Sequence, residues 1–465
     1  MTAAATHTAR ATPTRTWTLW AAAAATLLAA AAVGGAVGAA RGEADGALAF
    51  AGSLAVAAGL VVGVSVDPAI TISLGLALQI FSGQFSHLGS PIGLDRVVLV
   101  FGIAVAAVRG IRDGQRRLRV SGVHLLLLAI GVYGLLSALW ANRLVNNAGF
   151  GLLDYLGLIP FGLFFVAPAV FHGKRERAIL MGTLVVVGLY LGVTSVLETT
   201  GPSSLIFPSY IANPNVGIHY GRARGPFVEA AGNGLAMYGC AVVAAIALAT
   251  WKRARWLALL ALATCVFGII YCLTRQVWLA AALGTIVGML SRPGLRAWLI
   301  PAVAGTVIVI GSALAVIPGL SQRAEGRVNA ERPVWDRLNS DAAALRMIEQ
   351  RPLLGFGWYT FGEQSLNYYE QAPDRPVTTV GRIHNVFLSY ATELGVPLLF
   401  AWVIAIGIAL MGGLRRRGPP DLDLWRSGLV AFAVAWAVVA NFTPMGYAFV
   451  HSLLWLWAGM AWSRT

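Results

Sequence analysis

The chain has 465 residues, 57% hydrophobic and 12% charged, with a mean hydropathy of +0.71 and a formal net charge of +14. About a quarter of the residues of a soluble domain are charged, so this composition excludes a soluble globular protein and predicts an all-α, polytopic membrane helix bundle. The excess of cations would suggest nucleic acid in a soluble chain, but here the arginines lie between apolar runs, where they act as topology signals and meet anionic lipid headgroups; no nucleic-acid partner is expected.

Residues 1–16, rich in Ala and Thr with Arg10 and Arg15, read as a disordered cytoplasmic tail, and residues 17–465 as one transmembrane domain. A span needs about 20 apolar residues, and such a window finds about fourteen candidates: 17–37, 47–66, 69–81, 97–108, 123–140, 152–171, 178–196, 232–250, 256–273, 277–290, 298–317, 386–411, 428–439 and 447–461. The expected count is about 12–14, because 69–81 and 97–108 are short. The first run follows a basic start as a signal peptide would, yet its long apolar core and the spans behind it favour a retained helix. Cys240, Cys265 and Cys272 fall inside apolar runs without metal or disulfide spacing and read as small core residues.

Alternate loops are basic: Arg109 to Arg119, Lys174 to Arg177, Lys252 to Arg255, Arg292 to Arg296, and Arg415 to Arg417. By the positive-inside rule this parity places both termini in the cytoplasm and a large loop, 318–383, outside. Within that loop Asn339-Ser340-Asp341 offers helix N-cap chemistry, which predicts a short helix over 342–349 with Leu345 and Ile348 on one face. The glycine-punctuated run Leu353 to Tyr359 suits either a loop laid on a membrane or sugar surface or a plug packed on the bundle.

Cations outside the membrane need another reason to be there. Arg222 and Arg224 precede a helix that carries Glu229, Arg275 sits in a tight turn between two spans, and Arg346 and Arg382 belong to the large loop. Each could snorkel or pair structurally, with Glu229 and Glu393 as natural carboxylate partners; each could also grip phosphate, for which a guanidinium is well shaped. The stretch Arg382 to Gly395 places His384 at the lip of a membrane helix, with Arg382 two residues before it and Glu393 nine after it. A titratable imidazole there is a candidate catalytic group, although a lone histidine at an interface can also do no more than bond a carbonyl.

Asp336-Arg337-Leu338, Ala344-Leu345-Arg346, Pro352 to Gly357, His384-Asn385-Val386-Phe387-Leu388 and Glu393-Leu394-Gly395 follow one another in an order and spacing that resemble the signature region of the O-antigen ligase and O-antigen polymerase superfamily. The resemblance covers roughly 332–402. Nine residues separate His384-Asn385 from Gly395, as in the family pattern, whereas Leu398 occupies a position where that pattern has Gly, Thr or Tyr. Arg346 and Gly357 match the arginine and glycine of the polymerase branch, so ligase and polymerase both stay open.

The resemblance implies a metal-independent, cofactor-free glycosyltransferase on the outer face of the cytoplasmic (inner) membrane. It would move a glycan from a polyprenyl-pyrophosphate donor to the hydroxyl of a glycan or lipid-glycan acceptor, among membrane lipids. His384 is then the expected base, Arg222, Arg224 and Arg275 the expected pyrophosphate ligands, and Arg346, Arg382 and Asn385 further substrate contacts, with Glu229, Glu393 and Tyr359 in support. Direct attack would invert the anomeric centre. A transporter or flippase of lipid-linked glycans and a non-enzymatic scaffold of a polysaccharide export complex share the composition; a transporter would more often break charged helices at mid-membrane.

Overall fold

The computed structural model describes residues 67–88, 93–112, 118–144, 146–316, 322, 325–326, 331–371, 376–377, 380–415 and 420–463. Two compact units divide the chain at Thr71/Ile72; of the first, only residues 67–71 are described, and the second carries all that follows. The expected tail 1–16 and the spans 17–37 and 47–66 lie outside the described residues.

The described chain is helical without a strand: α1 Pro68–Leu78, α2 Leu94–Arg112, α3 Gly122–Trp140, α4 Asn146–Gly151, α5 Leu158–Val170, α6 Lys174–Thr200, α7 Ala230–Thr250, α8 Arg255–Tyr271, α9 Arg275–Leu290, α10 Leu299–Val316, α11 Arg332–Gln350, α12 Val386–Leu394, α13 Val396–Arg415, α14 Leu422–Ala440 and α15 Ala448–Ala461, with shorter turns between. Among the described residues six helical segments are long and apolar enough to cross a membrane, and further apolar helices of 10–17 residues accompany them. This is a multi-pass membrane protein.

Two helices form the centre. Helix α7 is rich in Gly and Ala, which lets its neighbours approach closely: a Cβ at Gly232 would lie 2.6 Å from Tyr447, one at Gly234 2.7 Å from Val277, and one at Gly239 2.8 Å from both Leu453 and Phe432. Every residue of α15 is buried. Its Trp455 meets Phe161 and Phe164 of α5 edge-on at 5.1 and 5.6 Å, and its Trp457 donates to the carbonyl of Trp425 at 2.8 Å. Helix α14 lies against α7, α9 and α15, and α8 against α6 and α7.

Two sequence expectations are corrected. The apolar run 386–411 is two helices rather than one, because Gly395 (φ +88°) breaks it between α12 and α13. Into the break comes residue 352–357 of the polar segment: Val396 N–H donates to Pro352 O (2.8 Å), Phe356 N–H to Thr392 O (3.0 Å) and Gly357 N–H to Glu393 O (2.8 Å). A Cβ at Gly395 would sit 2.1 Å from Leu353 O, and one at Gly355 2.5 Å from the Glu393 carbonyl, so both positions need glycine for space as well as for conformation. The run is thus a plug: Phe356 and Trp358 are buried, and Trp358 Nε1 donates to Ala148 O at 2.8 Å.

The second correction concerns α11, which starts ten residues before the expected 342, at Arg332, with Pro333 in its first turn. Asn339 and Ser340 are buried inside it instead of capping it; Ser340 Oγ bonds back to Arg337 O (2.9 Å) and Asn339 reaches Pro376 O (3.4 Å). Satisfied this way, short polar side chains no longer compete with the helix. Its packed face is Ala343, Ala344 and Met347, while Leu345 is exposed.

Candidate active site

The turns at one end of α6, α7, α9, α12 and α15 enclose, with α11, a cavity of about 1020 Å³. His384, Arg222, Arg275, Arg382, Glu229, Glu393 and Tyr359 all line it. Residues more than 160 positions apart are therefore brought to one space. Arg224, Arg346 and Asn385 are not among its lining residues, and each has another task.

Arg224 is almost wholly buried and holds its own loop together. Its guanidinium donates to Val216 O (2.6 Å), Ile211 O (2.8 Å) and Asn213 O (2.6 Å), and Glu198 stands 4.0 Å away. Glu198 also accepts from Gly225 N–H at 2.9 Å, and Ala223 N–H pairs with Tyr271 O at 3.0 Å, which ties this loop to the turn that bears Arg275. Arg222, two residues earlier, faces the cavity from the frame that Arg224 fixes. Arg346 bonds Tyr368 O (2.7 Å) and Glu370 on the far side of α11. Asn385 is the N-cap of α12: its Oδ1 accepts from Phe387 N–H (2.9 Å) and Leu388 N–H (3.2 Å). That cap orients the residue before it, His384.

His384 is half-buried, and its Nδ1 makes no hydrogen bond among the described residues. Burial depresses its pKa below the ordinary imidazole value, and the nearby guanidiniums of Arg337 and Arg382 add to the effect against the weaker pull of Asp336 and Glu229. The ring is accordingly neutral at neutral pH, the form that can accept a proton. Glu393, one helix along, accepts from Phe361 N–H at 3.2 Å and so holds the segment around Tyr359, which is forced to φ +59° and is 40% exposed.

Arg337 stands in the Asp336-Arg337-Leu338 run of the signature, but as one of many arginines in a polar stretch it was assigned no role there. On α11 it turns inward: its Nη2 donates to Gln276 Oε1 at 3.0 Å, and Gln276 Nε2 donates in turn to Thr443 Oγ1 at 3.2 Å. Its pKa is lowered first by burial and then by the like charge of Arg275, and its Nε is buried without a partner among the described residues. The carboxylates of Asp341 and Asp336 act in the opposite direction, and Arg337 and Arg275 both line the cavity. Arg96 and Arg143 also line the wall but are neutralised by Asp154 (2.6 Å) and by Glu363 respectively. His219, likewise unmarked by the sequence, stands 3.4 Å from Glu229, whose other oxygen accepts from Gly232 N–H at 2.7 Å. Burial would raise the pKa of Glu229, but hydrogen bonds from His219, Tyr447 and Gly232 hold it below the usual carboxylate value.

Compared with known families, residues 238–403 match the one described as O-antigen ligase. That interval contains Arg275, Arg337, His384, Asn385 and Glu393; the loop with Arg222 and His219 precedes it. No curated protein matches the chain.

Proposed function

We propose, from the match of residues 238–403 to the O-antigen ligase family, that this chain transfers a glycan from a polyprenyl-pyrophosphate donor to an acceptor hydroxyl at the cavity that holds His384. The observation that carries the reading is the convergence of three guanidiniums, those of Arg222, Arg275 and Arg337, with a neutral imidazole in one space. A pyrophosphate answers the first and an acceptor hydroxyl the second.

In this reading Arg222, Arg275 and Arg337 hold the pyrophosphate, and their charge counters the negative charge that grows on it as the bond to the anomeric carbon breaks. His384 takes the proton of the attacking hydroxyl. Arg382 and Tyr359 contact the sugar-bearing part of the donor or acceptor, and the attack inverts the anomeric centre. Arg224, Arg346 and Asn385 act through the frame that they hold.

The cavity then faces the outer side of the cytoplasmic membrane, with both termini inside. In support, the basic loops join one another at the opposite end of the bundle: Arg177 pairs with Asp421, and Asp423 is reached by Arg292 (3.7 Å) and Arg426 (3.5 Å). The test is an assay of the purified protein in lipid nanodiscs with a polyprenyl-pyrophosphate glycan and candidate acceptors. One added unit identifies a ligase and a ladder a polymerase; absence of any new glycosidic bond with every acceptor overturns the proposal.

A further inference from the structure

Glycan transfer leaves two charges to manage: the acceptor must lose a proton, and the departing pyrophosphate oxygen gains the electron pair of the broken bond. His384 answers only the first. The loop on another wall of the same cavity offers a group for the second.

His219 lies in a left-handed backbone conformation (φ +63°) between Gly217 (φ +73°) and Gly221 (φ +84°), a costly state for a non-glycine residue. The loop is fixed from both sides, by Ile218 N–H on Val228 O (3.0 Å) and by Arg222 N–H on His219 O (3.3 Å). The second bond makes a turn whose ends, His219 and Arg222, both line the cavity. Glu229 stands 3.4 Å from Nδ1, fixed by the N–H of Gly232 and by Tyr447. A carboxylate on one ring nitrogen orients the imidazole and is its counter-ion when the ring is charged, leaving Nε2 for another partner.

His384 has a different setting: its Nδ1 has no hydrogen-bond partner among the described residues, and the guanidinium of Arg337 acts on it more strongly than the carboxylate of Asp336. Of two imidazoles in one site, the one with a carboxylate on its ring nitrogen is furnished to give a proton and the one without is free to take one.

We infer that His219, oriented by Glu229, is a second catalytic residue, the acid that protonates the departing pyrophosphate held by Arg222. This rests on the reading of the cavity as the transfer site. The step balances: the acceptor oxygen forms the bond to the anomeric carbon and gives its proton to His384, the anomeric carbon–oxygen bond breaks towards the pyrophosphate, and that oxygen receives the proton of His219. The site ends with His384 charged and His219 neutral, and exchange with water restores both. His219 shares its loop with Glu229 and Arg222, with Tyr447 behind Glu229, and the charged groups elsewhere on the cavity wall include Arg96, Arg275, Asp336, Arg337, Arg382 and His384.

The test uses His219→Asn and His219→Gly, because both residues tolerate the left-handed backbone, in the full-length protein with its polyprenyl-pyrophosphate donor. The expected result is a fall in kcat of about 100- to 1,000-fold with donor KM little changed, and partial recovery of the glycine variant in added imidazole. A rate within twofold of the unaltered protein, or no response to imidazole in a variant that melts normally, overturns the assignment. The acid limb, probed by His384→Gln, reports the base separately, so the two readings fail independently.

Discussion

Arg337 reaches across from α11 to donate a hydrogen bond to Gln276, 61 positions earlier and the residue after Arg275, and so guanidiniums from two distant segments face one cavity. The bridge through Gln276 to Thr443 makes the polar segment part of the cavity wall. Arg337→Gln should lower kcat/KM for the donor by about 10- to 100-fold, the effect of losing one charge-assisted contact to phosphate, with little change in melting temperature. Titration of donor into nanodiscs checks this; unchanged donor use would return Arg337 to a structural role.

His384→Ala should abolish transfer while expression and membrane insertion stay normal. The pH profile carries a sharper expectation. Because burial and Arg337 lower the pKa of His384, its neutral form persists as pH falls, so the acid limb of kcat/KM should lie below the ordinary value of 6.5. Arg337→Gln removes a lowering influence and should move that limb up; Asp336→Asn removes a raising one and should move it down. Limbs that do not move in opposite directions would show that another group titrates.

Arg222 and Arg224 should behave as different kinds of residue. Arg224→Ala strands three carbonyls and Glu198 in a buried site and should cost about 3–5 kcal/mol of stability, the penalty for breaking a buried charged network. Arg222→Ala should keep the melting temperature and raise the KM for the donor. Thermal unfolding set beside donor kinetics separates the two.

Asn385→Ala should cost about 1 kcal/mol through the lost cap of α12 and should reduce kcat more than donor affinity, since the cap orients His384. Asn385→Ser, which can still cap, should recover most of the rate. If serine recovers nothing, the amide touches substrate directly.

Most membrane helices were legible because apolar runs of span length leave few alternatives, and the observed ends fall within a few residues of the predicted ones for α3, α7, α8, α9 and α15. The break at Gly395 was not: its flanks are uniformly apolar, and what opens the helix there is backbone arriving from residue 352 onward. The site was half legible. His384 stood out by its placement at a helix lip, but Arg222 and Arg224 are indistinguishable in a loop where orientation depends on which carbonyls are near. His219 was hidden for the same reason, and Arg337, though part of the signature run, drew no role, since hydropathy and spacing carry no sign of which polar residue turns inward.

The seam between residues 352–357 and the α12/α13 break also has a mechanical meaning. Peptide groups that pair across it ask nothing of the surrounding lipid, so the polar segment is riveted into the bundle rather than resting on its rim. The spacing between Arg337 on that segment and His384 beside the break is then set by main-chain bonds within the protein. A bilayer that thickens or thins can tilt the outer helices, but the reacting groups should travel together as one piece.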